Sequence, residues 1–593
     1  MTDEELRRLA RAHRVETHYF DWQGREVQVS PDTLRAVLEA LAVDSSPAPT
    51  GGTGTEPAAE PGHGHAAVPA PLAQKAGRQW GFMTQLYSVR SRQSCGIGDL
   101  RDLADLATWS GKELGAGFLL VNPLHAAEPT PRIEPSPYLP SSRRYFSPLY
   151  LRIEDLPEYA EYPDREAVTT ALRAVVTLDR DEVWAAKSRA LELLFQRFVP
   201  DQGYRDYRRG EGEALTGFAT WCALAELHGN DWRRWPRHEP GGARADRVEF
   251  HAWLQWRLDG QLAQAQRSAR ESGMEIGIIH DLAVGVHPGG ADTYLYPDLF
   301  AAGISVGAPP DEFNQRGQDW GQPPLHPLRI AADGYRSYRE MLAAVLRHAG
   351  GLRLDHVMQL SRLWWIPEGA DAGEGAYVGY DRAAMLGVLT AEARAVGAVL
   401  IGEDLGTVEP SVREDLAAHQ VLGTSLLWFE RGPEGPRRPE EWRELCLATV
   451  GTHDLPPIAG MLHGDHIALR ERLGLLTRPV EEEYRYHREE LAAWFALLAD
   501  LGLLRAEDQG EEAAVVRALH GFLARTPARL IGVSLADAAG ERRTQNQPGT
   551  VEEYPNWRVP LGGPDGRDLG LEDLYTDARL RSLIEPITRA AGS

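Results

Sequence analysis

The chain has 593 residues, 43% of them hydrophobic and 25% charged, a balance that fits a soluble globular protein and excludes a wholly disordered one. Its formal charge of −23 opposes both a nucleic-acid backbone and an anionic membrane face. At roughly 150 residues per domain the prior is about four domains, or fewer if one of them is an α/β barrel.

Residues 1–15 are charged and lack the apolar centre of a signal peptide, and no run of 18 apolar residues follows to span a membrane. Residues 1–45 read as a short independent extension. Helical spacing covers 4–12. Tyr19-Phe20-Asp21-Trp22-Gln23-Gly24-Arg25-Glu26-Val27 then reads as a hairpin with a glycine turn. Ser30-Pro31-Asp32 opens a second helix, with Ser30 as cap and Pro31 at the first helical position. Residues 46–77 are rich in Pro, Gly, Ala and Thr, the composition of a flexible linker. One pair, His63 and His65, does not make a metal site there.

From residue 78 onward, short apolar runs alternate with helical stretches. Eight runs read as strands: 81–89, 118–124, 276–282, 352–355, 399–403, 425–429, 448–452 and 530–535. Strands alternating with helices predict βα units and a parallel sheet, and eight units predict a closed (β/α)8 TIM barrel over 78–593. A doubly wound open sheet is the alternative. The gaps are uneven: 126–270 far exceeds one crossover, and 286–345 and 455–527 are also long. Large inserted subdomains are therefore expected there. Residues 491–504 and 513–523 are strongly helical.

Three cysteines, Cys95, Cys222 and Cys446, stand at no metal-binding spacing and form no disulfide framework, which suits a reducing cytoplasm. The basic residues are nearly all arginine; the lysines are Lys75, Lys112 and Lys187. Sixteen tryptophans are many for this length, and they read either as a large core or as flat faces for sugar rings. No phosphate-cradling glycine loop is present, since Gly289-Gly290 alone is too weak a signal, and no cofactor is implied.

In a barrel, chemistry sits at the C-terminal ends of the strands. Several strand candidates end in acids. The fourth ends Arg353-Leu354-Asp355-His356, and residues two apart share one strand face. An Arg beside an Asp keeps that carboxylate ionised, as a nucleophile requires; a buried structural ion pair is the plain alternative. The fifth ends Gly402-Glu403-Asp404. A carboxyl against apolar walls and near another acid has a raised pKa and suits a general acid; helix capping is the alternative, and Asp404 fits it better than Glu403. The seventh ends Thr452-His453-Asp454, a pair suited to sugar hydroxyls. The third ends His280-Asp281. Two carboxyls flanking a bond is the arrangement of glycoside chemistry. Hard cations also favour carboxylates, but Arg353 and the neighbouring histidines fit them poorly, so no metal is expected.

These residues resemble the 4-α-glucanotransferase family, the amylomaltases or disproportionating enzymes of the α-amylase clan, glycoside hydrolase family 77. The likeness covers about residues 80–560 and rests on separated motifs in the family's order. They are Gly96-Ile97-Gly98-Asp99, Ser136-Pro137-Tyr138, Gly307-Ala308-Pro309-Pro310-Asp311-Glu312-Phe313-Asn314, and Gly317-Gln318-Asp319-Trp320-Gly321-Gln322-Pro323. The three acid-bearing strand ends follow, then Asn546-Gln547-Pro548-Gly549-Thr550 and Asn556-Trp557-Arg558.

The resemblance implies Asp355 as nucleophile, Glu403 as general acid/base and Asp454 as a third acid that binds donor-sugar hydroxyls. It implies that Arg353 orients Asp355 and that His356, His453 and Tyr138 serve the donor site. Residues 307–324 would form a stiff irregular loop over the acceptor side, with Phe313 and Trp320 for stacking and Asn314, Gln318 and Asp319 for hydrogen bonds. Asp281 and Asp292 are further binding candidates, although Pro288-Gly289-Gly290-Ala291-Asp292-Thr293-Tyr294 departs from the family's pattern at Gly289 and Tyr294. The implied reaction transfers α-1,4-glucan segments to the 4-hydroxyl of another glucan or of glucose, with retention. A hydrolase of the same clan and a non-catalytic glucan binder are the alternatives. No nucleic acid or membrane partner is expected, and the sequence does not specify an oligomeric state.

Overall fold

The computed structural model describes residues 1–21, 24–42, 77–236, 242–311, 316–406 and 408–591. Most of the expected linker lies outside them, as do Trp22, Phe313 and Asn314.

All eight expected strands are present, as Gln79–Thr84, Phe118–Val121, Gly277–Leu282, Gly351–Leu354, Val399–Gly402, Gly423–Leu426, Cys446–Thr449 and Leu530–Ser534. They are called here the first to eighth barrel strands. Their order in the sheet is fifth, fourth, third, second, first, eighth, seventh, sixth, and every pairing is parallel. The fifth and sixth close the ring: the Gly402 N–H donates to the Leu422 carbonyl at 2.7 Å, and the Leu422 N–H donates to Leu400 at 3.0 Å. The open-sheet alternative falls with that closure.

Most of these strands are buried on both faces, as a parallel sheet covered by helices requires. Alternate residues therefore feed two cores. Phe118, Ile279, Val399, Ile401, Leu447 and Leu530 fill the barrel interior. Leu352, Leu354 and Leu400 face outward, onto Leu342 and Val345 of helix Arg336–Leu346 and Met385 and Leu389 of helix Arg382–Val396. The first strand ends at Thr84, short of the expected 89, because Leu86–Ser88 turn into a 3-10 helix.

Between the second and third strands the chain builds a helical layer that includes Arg180–Phe195, Gln202–His228 and Ala245–Glu271. Segments after the third strand and after the fourth build a separate antiparallel sheet in the order Ala376–Gly379, Arg362–Pro367, Ile304–Ala308, Gln318–Gln322. Part of the stretch expected as irregular loop over 307–324 is thus a strand pair. Gly307 permits it, since a Cβ there would lie 1.9 Å from the Gln318 carbonyl oxygen.

The N-terminal helices and hairpin dock on this small sheet. Helices Asp3–Ala12 and Pro31–Ala40 bury Leu6, Leu34, Val37 and Leu38 against Trp365, Val378 and Val306. Ser30 caps the second helix, accepting the Thr33 N–H at 3.0 Å. The hairpin pairs His18–Phe20 with Glu26–Gln28. Val15 bridges to Val378, and Glu16 pairs with Arg362 at 2.7 Å.

Candidate active site

The register of the barrel sets the site. Asp281 and Arg353 are direct cross-strand partners; Asp281 follows the inward-facing Ile279 by two residues, and Arg353 pairs on its other side with the inward-facing Ile401. One Arg353 nitrogen donates to both Asp281 oxygens, at 2.7 and 2.8 Å. The other guanidinium arm reaches Asp355 Oδ1 at 3.0 Å. Asp355 lies two residues on, where the strand has ended, and turns into a cleft of about 2110 Å³ at the C-terminal ends of the strands. Asp281 is 2% exposed and Asp355 21%, so one aspartate anchors the arginine while the other faces the cleft. Burial alone would lower the Arg353 pKa; the two aspartates reverse this and push it well above its usual value.

Glu403 follows the fifth strand. Its Oε1 accepts the Leu405 N–H at 2.6 Å and its Oε2 accepts the His356 N–H at 3.0 Å. His356 adopts a left-handed backbone, φ +46°, a strained turn for a non-glycine residue next to the cleft. Burial, then the charge of Asp355, push the Glu403 carboxyl up to about 7, against the opposing pull of Arg353 and the Leu405 N–H.

Asp454 belongs to the other wall. Desolvation pushes its carboxyl up, but His453 at 3.2 Å and Asn546, which donates at 2.9 Å, outweigh it and hold the carboxyl at about 2. The charge of Asp454 likewise overcomes burial and raises the His453 pKa. A protonated His453 donates from Nδ1 to the Tyr138 oxygen at 3.1 Å, and Tyr138 donates to Asp281 at 2.8 Å. One chain of polar contacts thus runs from Asp454 through His453, Tyr138, Asp281 and Arg353 to Asp355.

The cleft is lined by most of the residues expected from the sequence: Tyr138, Gln318, Trp320, Arg353, Asp355, His356, Glu403, His453 and Asp454. Trp320 stands edge-on to His356, with centroids 5.3 Å apart. Tyr138 is less free than a stacking platform needs. Its ring stacks on His453 at 4.5 Å, its hydroxyl is taken, and it is 9% exposed. Three expected residues do not line the cleft: Asp281, Asp292 and Asp319, whose carboxylate instead accepts the Gly321 N–H at 2.8 Å. Asp281 stands behind it, with both oxygens occupied by Arg353 and Tyr138. Asp292 accepts the Arg143 backbone N–H at 3.0 Å and belongs to the packing below Ser141 and Ser142. Asn314 lies outside the described residues.

Asp404 is not a helix cap. The next helix starts at Pro410, and Asp404 is fully buried, paired with Arg443 at 2.5 Å and accepting the Thr424 N–H at 2.8 Å. It ties the fifth strand to the sixth at the closure of the barrel. Two partners were not singled out from the sequence as site residues. Asn546 holds Asp454, and Trp557 packs 5.3 Å from Tyr138 and 5.6 Å from His453. Both sit in the late motifs, the only signal that pointed to them. Among the described residues no group of three or more His, Cys, Asp or Glu side chains is placed to hold a metal ion.

A family model described as 4-alpha-glucanotransferase matches residues 84–564. The 4-alpha-glucanotransferase of Mycobacterium tuberculosis is 55% identical over 552 residues, covering 87% of this chain and 76% of that protein. The Haemophilus influenzae 4-alpha-glucanotransferase is 36% identical over 530 residues, covering 82% and 76%. Among solved structures, the amylomaltase from Corynebacterium glutamicum covers 100% of both chains at TM-score 0.88 and 36% identity. An amylomaltase from Streptococcus agalactiae, solved in complex with acarbose, shares the fold at TM-score 0.69 and 18% identity, over 86% of this chain and 99% of that one.

Proposed function

The chain belongs to the 4-alpha-glucanotransferase family, and we propose that it moves α-1,4-glucan segments by a retaining double displacement at Asp355 and Glu403. The observation that carries this reading is the division of labour between two acids on one cleft. Asp355 is held by Arg353, and Glu403 has a pKa near 7.

In the first step Asp355 attacks the anomeric carbon of the donor and forms a glycosyl ester. Glu403, protonated, gives its proton to the departing glycosidic oxygen. In the second step Glu403, now ionised, takes the proton from an acceptor 4-hydroxyl, whose oxygen displaces Asp355. Two inversions give net retention. A pKa near 7 suits a group that must both give and take a proton in one cycle. Asp454, held ionised by His453 and Asn546, binds donor hydroxyls and favours the positive charge that develops on the sugar ring. Tyr138 and His453 complete the donor wall, and Gln318 and Trp320 serve the acceptor side.

A neutral glucan is indifferent to a net charge of −23. Residues 78–593 form the catalytic unit in this reading and 1–45 a small extension. Three buried free thiols fit the cytoplasm as its compartment. Pure maltotriose tests the reaction: a ladder of glucose and longer glucans is expected, whereas reducing ends without longer glucans would make the protein a hydrolase. Unchanged maltotriose would reject both.

A further inference from the structure

We infer that the N-terminal hairpin supplies a distal glucan platform, Phe20, at the rim of the catalytic cleft, so that the extension sets the preference for long chains. The inference rests on the proposed glucan-transfer reading.

Phe20 ends the strand His18–Phe20 and is 60% exposed, yet it lines the same cleft as Asp355 and Glu403. Side chains alternate along a strand. Tyr19 therefore turns inward and packs edge-on to Trp364, with centroids 4.9 Å apart, and Phe20 turns outward. The placement is braced. The Asp21 N–H donates to the Arg25 carbonyl at 3.0 Å, and the Arg25 backbone and side chain both donate to the Asp21 carboxylate, at 2.9 and 2.8 Å. Behind the hairpin, Arg362 of the small sheet lies over the Tyr377 ring and pairs with Glu16.

A singly exposed apolar side chain needs no explanation on an open surface. This one stands on the wall of a glucan-sized cleft that Trp364, Tyr377 and residues 308–311 also line. Among the described residues the other strongly exposed aromatic of that cleft, Tyr486, has Arg478 and Arg485 against its ring, 5.0 and 4.9 Å from the centroid. Among the described residues the ring contact of Phe20 is with His18, edge-on at 6.1 Å. Its open face suits the C–H surface of a glucose unit far from the cleavage point. The occupant is thus a long α-glucan already bound at the catalytic centre.

The test compares donors of two lengths, maltotriose and long-chain amylose, with the full chain and its Phe20→Ala and Phe20→Trp variants. Phe20→Ala should lower the ratio of kcat/KM for amylose over maltotriose about three- to tenfold, the scale of covering one aromatic face. The loss should fall in KM, and Phe20→Trp should restore the ratio. An unchanged ratio, or an equal fall for both donors, would overturn the inference. So would a self-associated wild type that Phe20→Ala makes monomeric in sedimentation, because Phe20 would then contact a second copy. Wild-type protein inert on maltotriose would instead reject the underlying reaction.

Discussion

Two buried arginines in this molecule each hold a pair of aspartates, and only one of the two clusters opens onto a cleft. Arg152 pairs with Asp99 at 2.5 Å and Asp102 at 2.9 Å. There every carboxylate oxygen is occupied. Asp99 also caps helix Leu100–Leu114, and Asp102 accepts Ser91, Ser94 and the Asp99 N–H. Arg353 makes the same kind of fork to Asp281 and Asp355. The difference lies in exposure: Asp99 and Asp102 are 2% and 1% exposed, and Asp355 is 21% exposed on the cleft wall.

A shifted carboxyl does not separate the clusters. Burial, then Asp99, raise the Asp102 pKa. Burial takes Asp537, against the opposing pull of the Ile458 N–H that it accepts, to about 7, the value reached by Glu403. In the proposed mechanism, what marks a reactive acid is residual access beside a fixed partner.

The comparison can be broken by mutation. Asp355→Asn should cost about 10⁴-fold or more in turnover and leave the melting temperature near that of the wild type. Similar losses from Asp99→Asn, measured on folded protein, would erase the distinction. Glu403→Gln should cost about 10²- to 10⁴-fold. Because the proposed mechanism has Glu403 enter the first step protonated, the wild-type kcat/KM should fall as pH rises through about 7, and that limb should vanish in the Gln variant. A pH profile flat from 6 to about 9 would remove Glu403 from the acid role. Arg152→Met should act the other way, destabilising by about 3–5 kcal/mol through uncompensated buried charge. Turnover of its folded fraction should stay within about twofold, as expected for a cluster that does not line the cleft and shares no partner with it. A kinetic effect larger than the loss of stability would join the two clusters after all.

Much of this was legible in the sequence. Buried parallel strands are short apolar runs bounded by polar residues, so all eight were found, with ends misplaced where a 3-10 turn such as Leu86–Ser88 continues the apolar run. Arg353 and Asp355 could be paired because two residues apart means one face. The role of Asp281 could not be read this way: it depends on which residue lies across from Arg353, a register that closure of the barrel sets. Asp404 misled because capping is a local inference, and its partner Arg443 comes 39 residues later. Asn546 reaches Asp454 across 92 residues of chain. The N-terminal hairpin was legible as a hairpin, but its place at the cleft depends on docking against a sheet that forms nearly 300 residues later.

The most direct test is to trap the intermediate. Glu403→Gln, given an α-maltosyl fluoride whose leaving group needs no acid, should accumulate a glycosyl ester. Mass analysis of its peptides should find the added sugar on Asp355, and none on Asp281, Asp99 or Asp102. A sugar on another carboxylate, or release of fluoride with no covalent adduct under single-turnover conditions, would contradict the account.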